Sequence, residues 1–361
     1  MARALIAMSG GVDSSVAAWL MKERGDDCIG CTMKLFSNDD IGLGRARTCC
    51  SLDDVEDARN VANRLHIPYY VFQFSDEFLD KVIGKFIASY ERGCTPNPCV
   101  DCNRYLKFGK LFERADAIDR DYIVTGHYAR ITREGGLFHL RKALDATKDQ
   151  SYVLFAMDQR QLARTRFPLG ELRKTEVRAI AERNGFVNAR KPDSQDICFV
   201  PDGDYAAFLE KQTGRPSPPG PFIDSSGKVL GEHRGVIHYT IGQRRGLGLS
   251  FPEPMYVKRI DAKRATVTLC PDADLFEPTA LVENVNWISG EAPRERFACD
   301  VKIRYRQKEQ PALVEPMANG TVRVHFERPQ RAVTPGQYAV FYLGDEVLGG
   351  GTIGRNDDPL A

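Results

Sequence analysis

No stretch of about 18 consecutive apolar residues occurs in this chain, so no membrane-spanning helix is expected. Neither sign of charge is in excess: 50 basic and 49 acidic residues leave a net charge of +1. A nucleic-acid partner would therefore have to be met by a local cluster of basic residues rather than by a field over the whole surface. The chain enters a strand within a few residues, which leaves no room for a secretory signal, and a cytoplasmic protein is expected. Also missing is the Lys-Ser/Thr ending of the nucleotide-hydrolase loop G-x-x-x-x-G-K-S/T, so no lysine of the loop is placed to hold a γ-phosphate against a β-phosphate.

What the chain has in quantity is cysteine, ten residues in all. In a reducing compartment these read as catalytic or metal-binding groups rather than structural disulfides. The 361 residues are too many for one compact core and imply two or three domains.

The stretch Ser9-Gly10-Gly11-Val12-Asp13-Ser14-Ser15 follows the apolar run Ala4–Ala7 and precedes Val16, Ala17, Ala18, Leu20 and Met21. The order is strand, glycine turn, helix. Adjacent glycines let the backbone approach a ligand, and the first turn of the helix offers unpaired N–H groups to an anion. Without the lysine, the loop reads as a cradle for leaving pyrophosphate and resembles the loop of ATP pyrophosphatases.

Downstream, strands are expected at 28–36, 67–74 and 122–125, the second of them buried. Helical spacing appears in Val55, Ala58, Val61, Ala62 and Leu65, with Asp53 or Asp54 as the cap, and in Phe78, Val82, Phe86 and Tyr90. This alternation argues for a doubly wound parallel α/β sheet with ligands at the carboxyl ends of its strands. The segment 39–50 reads as a polar, mobile loop.

In Cys94-Thr95-Pro96-Asn97-Pro98-Cys99-Val100-Asp101-Cys102-Asn103 the prolines enforce an extended path, and a helix carrying Leu106, Leu111, Phe112 and Ala115 is expected to follow directly. That places Cys102 near a helix N-terminus, where the dipole lowers a thiol pKa below about 8.5. Cys99 and Cys102, with Cys28 and Cys31, could instead make a zinc site, although a pair inside a strand is a poor knuckle and Cys28 and Cys31 also read as buried small hydrophobes. Cys198 lies between Asp193 and Asp196 on one side of the charge balance and Arg190 and Lys191 on the other, and a core role for it stays open.

Three regions are expected: a catalytic domain over 1–205, a small central domain over 206–275 and a β-barrel over 276–361. The central region holds strand signals at 236–240, 255–257 and 265–269, after a proline-rich turn at 214–220. In the last region Val301, Ile303 and Tyr305 alternate with Lys302, Arg304 and Arg306, and Val322, Val324 and Phe326 alternate with polar residues, as strands with one buried face do. The outward basic stripe fits contact with a nucleic-acid backbone.

Taken together, Ser9–Ser15, Thr95–Pro98 with Cys102-Asn103, Thr125–Arg130, Lys148–Tyr152, Asp193-Ser194 with Ile197–Phe199, Thr240–Gly248 and Arg304–Gln307 resemble the tRNA-uridine 2-sulfurtransferases, the 2-thiouridylases, nearly end to end. The resemblance implies ATP-dependent adenylation of the 2-oxygen of the wobble uridine in tRNAs for Lys, Glu and Gln, followed by sulfur replacement. It implies a persulfide on Cys198, a nucleophilic Cys102 and a transient disulfide between them. It further implies ATP contacts from Ala7, Met8, Ser9, Gly10, Gly11, Val12, Asp13, Ser14, Met33 and Gly126. Asn97, Pro98 and Cys99 would face the target base, and His127, Lys148, Asp149, Gln150, Arg304, Tyr305 and Gln337 would contact tRNA. Magnesium on the triphosphate and a sulfur-donor protein relaying from a cysteine desulfurase are expected. Many relatives carry Asp where this chain has Cys99, so Cys99, Cys102 and Cys198 could alternatively hold a 4Fe–4S cluster that delivers sulfur. An ATP-pyrophosphatase synthetase acting on a small metabolite is the reading from another class; it would need neither Cys102 nor Cys198.

Overall fold

The computed structural model describes residues 1–36, 52–193 and 197–355. The polar segment 39–50 lies outside them. Four strands, β1 (Arg3–Ala7), β2 (Asp27–Lys34), β3 (Tyr69–Gln73) and β4 (Tyr122–Val124), and the short Thr165–Arg166 form one sheet. Its order is β3-β2-β1-β4 followed by Thr165–Arg166, and every pairing is parallel. The side-chain period of two sends successive residues of β1 to opposite faces. Ala4 and Ile6 enter a core with Val16, Ala17 and Ala18 of helix α1 (Val12–Glu23), whereas Leu5 enters a second core with Phe78, Phe86 and Leu106. Helices thus cover both faces, as a doubly wound sheet requires.

The expected buried strand at 67–74 is an edge strand. It pairs with β2 alone, and Tyr70 and Val71 are 51% and 40% exposed. Helix Ser75–Glu91 passes through a π-helical segment at Leu79–Gly84 and buries Phe78, Val82, Phe86 and Tyr90 as the spacing implied. The next helix begins earlier than expected. Asn97 caps it by accepting the Cys99 N–H at 3.1 Å, and Pro98 takes the first helical position, where its missing N–H costs nothing. Cys99 therefore occupies the first turn, and Cys102 opens a π-helical stretch, Cys102–Lys110.

A hairpin, Ala129–Glu134 with Leu137–Lys142, leaves the parallel-sheet region and joins the last sheet by pairing with Glu346–Ile353. In that sheet six strands close into a barrel through the pairing of Phe276–Trp287 with Glu346–Ile353. The central region packs four strands, Gly220–Ile223, Val229–His233, Tyr256–Asp261 and Thr266–Cys270. Val236–His238, read as strand from sequence, is a single 3₁₀ turn. The strand at Phe297 ends at Lys302, so Ile303 to Gln307 form turns and the inside–outside alternation stops before Arg304. No helix among the described residues is long and apolar enough to cross a membrane.

The backbone after β4 crosses the start of α1: a Cβ on Gly126 would lie 2.7 Å from the Ser14 nitrogen. Gly126→Ala is expected to cost about 1–3 kcal/mol through overpacking, read as a lowered thermal midpoint. Gly135→Asn, at an open turn with nothing within 4 Å, should be close to neutral.

Candidate functional site

The ends of β1 and β4 sit side by side where the strand order reverses, which is where ligands bind in open α/β sheets. After β1 the chain turns at Gly10, whose φ of +74° and whose approach to Asp54, 2.3 Å from a would-be Cβ to the carbonyl oxygen, admit only glycine. Ser14 Oγ accepts from the Ser9 N–H at 3.1 Å and donates to the Gly11 carbonyl at 3.0 Å, closing the loop upon itself. Gly11 offers no capping side chain, so the first N–H groups of α1 remain available to an anion. Met33 lies near the end of the adjacent β2.

The sequence shows no lysine in this loop, but tertiary structure brings two to it. Lys174, at the start of helix Lys174–Arg183, places its ammonium 2.7 and 2.8 Å from the two oxygens of Asp13 and 2.8 Å from Asp193. Tyr128 donates its hydroxyl to Asp13 at 2.8 Å. Lys191 reaches Asp54 and Asp57 at 2.6 and 2.7 Å and the Gly10 carbonyl at 3.3 Å. Asn188 donates to the Gly10 carbonyl and to Ser15 Oγ, both at 2.9 Å. Burial pushes the Asp193 carboxyl up, but hydrogen bonds from Lys148 and Lys174 outweigh it and hold the group below its ordinary value. None of Tyr128, Lys174, Lys191 and Asn188 carried a motif signal that marked it as part of the loop; a buried lysine is visible only after folding.

On the other flank, His127 is buried and its Nδ1 lies 2.6 Å from Thr125 Oγ1, its Nε2 3.3 Å from Lys107 Nζ. An ammonium can only donate, so Nε2 accepts and the ring proton sits on Nδ1. Burial, reinforced by the Lys107 charge, holds this imidazole well below its ordinary pKa and hence neutral. Cys102 and Cys198 are both half-buried against the same hydrophobic core, and Cys99 is exposed. Phe199, directly after Cys198, is anchored edge-on against Phe78 and Phe86. Cys28 and Cys31 are buried in β2, and burial raises the Cys28 thiol to about 11. Among the described residues no group of three or more His, Cys, Asp or Glu side chains stands close enough to hold a metal ion.

The remaining sequence-derived contacts are drawn toward the site by the barrel. Gln337 donates to the Thr95 carbonyl at 2.8 Å and the Pro96 carbonyl at 3.3 Å, Thr95 N–H donates to Pro335 O at 2.9 Å, and Tyr338 donates to Asp101 at 3.2 Å. Tyr305, 37% exposed, reaches the Asp149 carbonyl at 3.4 Å. Arg304 turns inward, donating to Ala332 O and Thr334 Oγ1, and burial followed by the nearby Arg331 lowers its pKa. Lys148 is paired with Asp193, the Asp149 carboxylate accepts from Ala143 N–H and Ser151 Oγ, and Gln150 accepts from Tyr128 N–H. These side chains therefore order the site from within, whatever else they contact.

A family model described as tRNA methyl transferase HUP domain matches residues 2–202, one described as tRNA methyl transferase PRC-barrel domain matches 206–271, and one described as aminomethyltransferase beta-barrel domain matches 278–353. A curated relative from Thermoanaerobacter sp. (strain X514), tRNA-specific 2-thiouridylase MnmA 1, is 49% identical over 98% of each chain. The tRNA-specific 2-thiouridylase MnmA of Geobacter metallireducens is 48% identical over 97% of this chain and 96% of its own. Among solved structures, a 4-thiouridine synthetase–RNA complex with bound ATP matches 59% of this chain and 50% of that one at 18% identity and a TM-score of 0.35, too slight a likeness to carry a conclusion.

Because the folded state keeps His127 neutral while the unfolded chain takes up a proton below about pH 6.5, stability should fall as the pH drops through that value. His127→Asn is expected to flatten this acid-side loss, by up to about 1.4 kcal/mol per pH unit, in thermal unfolding compared at pH 7.5 and 5.5. An unchanged pH dependence would show that the imidazole is not held neutral.

Proposed function

The chain belongs to the tRNA-specific 2-thiouridylase family, and from that premise we propose that it activates the 2-oxygen of a tRNA uridine with ATP and replaces that oxygen by sulfur. The observation that carries this reading is that the phosphate loop and the Thr125–His127 turn adjoin at the carboxyl end of the sheet. Cys102 and Cys198, the two thiols the reading requires, are both half-buried against one hydrophobic core.

A ring carbonyl oxygen is a very poor leaving group, so it must first be converted. Attack of the uridine 2-oxygen on the α-phosphorus of ATP forms the O-adenylate and expels pyrophosphate, which the loop glycines and the N-terminus of α1 are built to receive. Magnesium would neutralise part of the triphosphate charge, and Asp13 is the carboxylate that the loop offers to it.

Sulfur arrives as a persulfide on Cys198, passed on by a donor protein that draws on a cysteine desulfurase. The Cys102 thiolate attacks the Cys198 sulfur bonded to its side chain, forming a Cys102–Cys198 disulfide and freeing hydrosulfide. Hydrosulfide adds to C2 and AMP departs with the former carbonyl oxygen; an external dithiol then reduces the disulfide. The wobble uridine of tRNAs for Lys, Glu and Gln is the proposed target, with Asn97, Pro98 and Cys99 facing the base. Tyr305 and Arg306 are exposed and are the proposed contacts to the tRNA backbone. A 4Fe–4S cluster on Cys99, Cys102 and Cys198 does not fit the donor arrangement among the described residues, and no step is routed through one.

Cys102→Ala and Cys198→Ala are each expected to abolish formation of 2-thiouridine while leaving ATP affinity within about twofold; nucleoside analysis of the tRNA after incubation with ATP and a sulfur donor measures the first, calorimetry the second. Retained thiolation in either variant removes the role given to that cysteine. Asp13→Asn should instead suppress tRNA-dependent pyrophosphate release.

A further inference from the structure

Three lysines stand around the phosphate loop and the turn after β4, and their hydrogen-bond donors separate them. Each ammonium has three N–H groups. Lys174 directs its three to the two oxygens of Asp13 and to Asp193, at 2.7, 2.8 and 2.8 Å. Lys191 directs its three to Asp54, Asp57 and the Gly10 carbonyl, at 2.6, 2.7 and 3.3 Å. Lys107 differs: it is half-buried, its one acceptor is His127 Nε2 at 3.3 Å, and among the described residues no carboxylate pairs with it. The acceptor is held firmly, because the other ring nitrogen donates to Thr125 Oγ1 at 2.6 Å and the ring packs against Phe108 and edge-on to Phe167. It is also a neutral imidazole, so it aims the ammonium without cancelling its charge. Lys107 stands where two parts of the site meet. His127 follows Gly126, whose backbone lies against the Ser14 nitrogen too closely for a Cβ. On its own element Lys107 comes five residues after Cys102 in the π-helical stretch Cys102–Lys110, whose backbone bonds join residues five apart.

We propose that Lys107 binds the α-phosphate of ATP and keeps hold of it in the adenylate. A half-buried cation with two N–H groups left over, next to an anion-binding loop, is suited to an oxyanion that can accept charge-assisted hydrogen bonds. The β- and γ-phosphates leave as pyrophosphate, which the reading above gives to the loop glycines and the N-terminus of α1, on the side of β1. Lys107 comes to the site from the turn after β4 and from the helix of Cys102. The α-phosphate has to face both sides. The uridine oxygen attacks its phosphorus as the pyrophosphate oxygen departs roughly in line, and AMP later carries the same phosphate away once hydrosulfide has added to C2. A cation on its non-bridging oxygens offsets the charge that develops there in both steps, which is work that Lys174 and Lys191, with their donors already on protein acceptors, are not free to do. The inference rests on the ATP-dependent reading and adds to it the residue that holds the one phosphate shared by the two steps.

Calorimetry with AMP and with pyrophosphate, each with magnesium, separates the α-phosphate from the other two. Lys107→Met is expected to weaken AMP binding at least about tenfold, the scale of one hydrogen bond to a charged group, and to leave pyrophosphate within about twofold. The same variant should slow tRNA-dependent pyrophosphate release by about 10²–10³-fold, as loss of one oxyanion donor does, with tRNA affinity in the absence of ATP unchanged. An AMP affinity equal to that of the wild type overturns the assignment. So does weakened tRNA binding with a shallower salt dependence and intact AMP binding, which would make Lys107 a contact to the nucleic-acid backbone. If Lys107→Met does not fold, the wild type decides: acetylation of Lys107 by acetic anhydride, resolved by peptide mass spectrometry, should be slowed at least about fivefold by saturating AMP with magnesium, since only unoccupied protein reacts, and not by pyrophosphate. Protection by pyrophosphate alone, or by neither, overturns the assignment. A wild type that neither binds ATP nor forms 2-thiouridine overturns the functional reading; one that does both with Lys107 unprotected overturns the assignment and leaves that reading standing.

Discussion

The backbone of Thr125 and Gly126 runs so close to the N-terminus of α1 that no side chain fits between them, and the rest of the site hangs on that approach. It is a consequence of strand order. β1 lies between β2 and β4, so the loops after β1 and β4 leave the sheet as neighbours, the first entering α1 and the second the hairpin of Ala129–Glu134 and Leu137–Lys142. Gly10 and Gly126 are needed for different reasons: the first for its positive φ and its approach to Asp54, the second for contact alone.

Around that space the charges are arranged in chains rather than in isolated pairs. Lys174 joins Asp13 to Asp193, Lys148 and Arg178 join Asp193 to the flanking segments, and Lys191 joins the Gly10 turn to Asp54 and Asp57 on the second helix. Because most of these side chains are half-buried, each interaction resists salt screening better than a surface pair would. Removing one partner leaves another charge uncompensated, so the network resists the loss of any one member.

The barrel contributes to the same end. Gln337, Pro335 and Tyr338 hold the segment from Thr95 to Asp101, so a region whose sequence suggested only a basic, nucleic-acid-facing surface also sets the path of the chain into Cys99 and Cys102. Arg304 illustrates why the strand pattern misled. Val301 and Ile303 are buried as alternation requires, but hydrogen bonding ends at Lys302, the chain turns, and the guanidinium that a continued strand would have pointed outward is directed to Ala332 and Thr334. The edge position of β3 is a comparable case, because an apolar run reads the same whether one or two neighbours flank the strand.

Local chemistry was legible in the sequence because it needs only near neighbours. The glycine turn after an apolar strand, the prolines before the Cys102 helix, the burial of every fourth residue at Phe78, Val82, Phe86 and Tyr90 and the alternation of Val322, Val324 and Phe326 each follow from backbone periodicity and side-chain type. The same residues in the same order also identified the family. What only the tertiary structure decided is which distant charges share a partner. Lys174 is 161 residues from Asp13, and Tyr128 is 115; the Thr125–Arg130 motif does not reveal that Tyr128 meets Asp13, nothing around Lys174 marks it, and the lysine absent from the loop is supplied by a helix that only strand order and packing bring there. Sequence fixes what each segment can do next to itself, while pairing across the sheet fixes which segments meet, because long-range contacts depend on topology and not on local propensity.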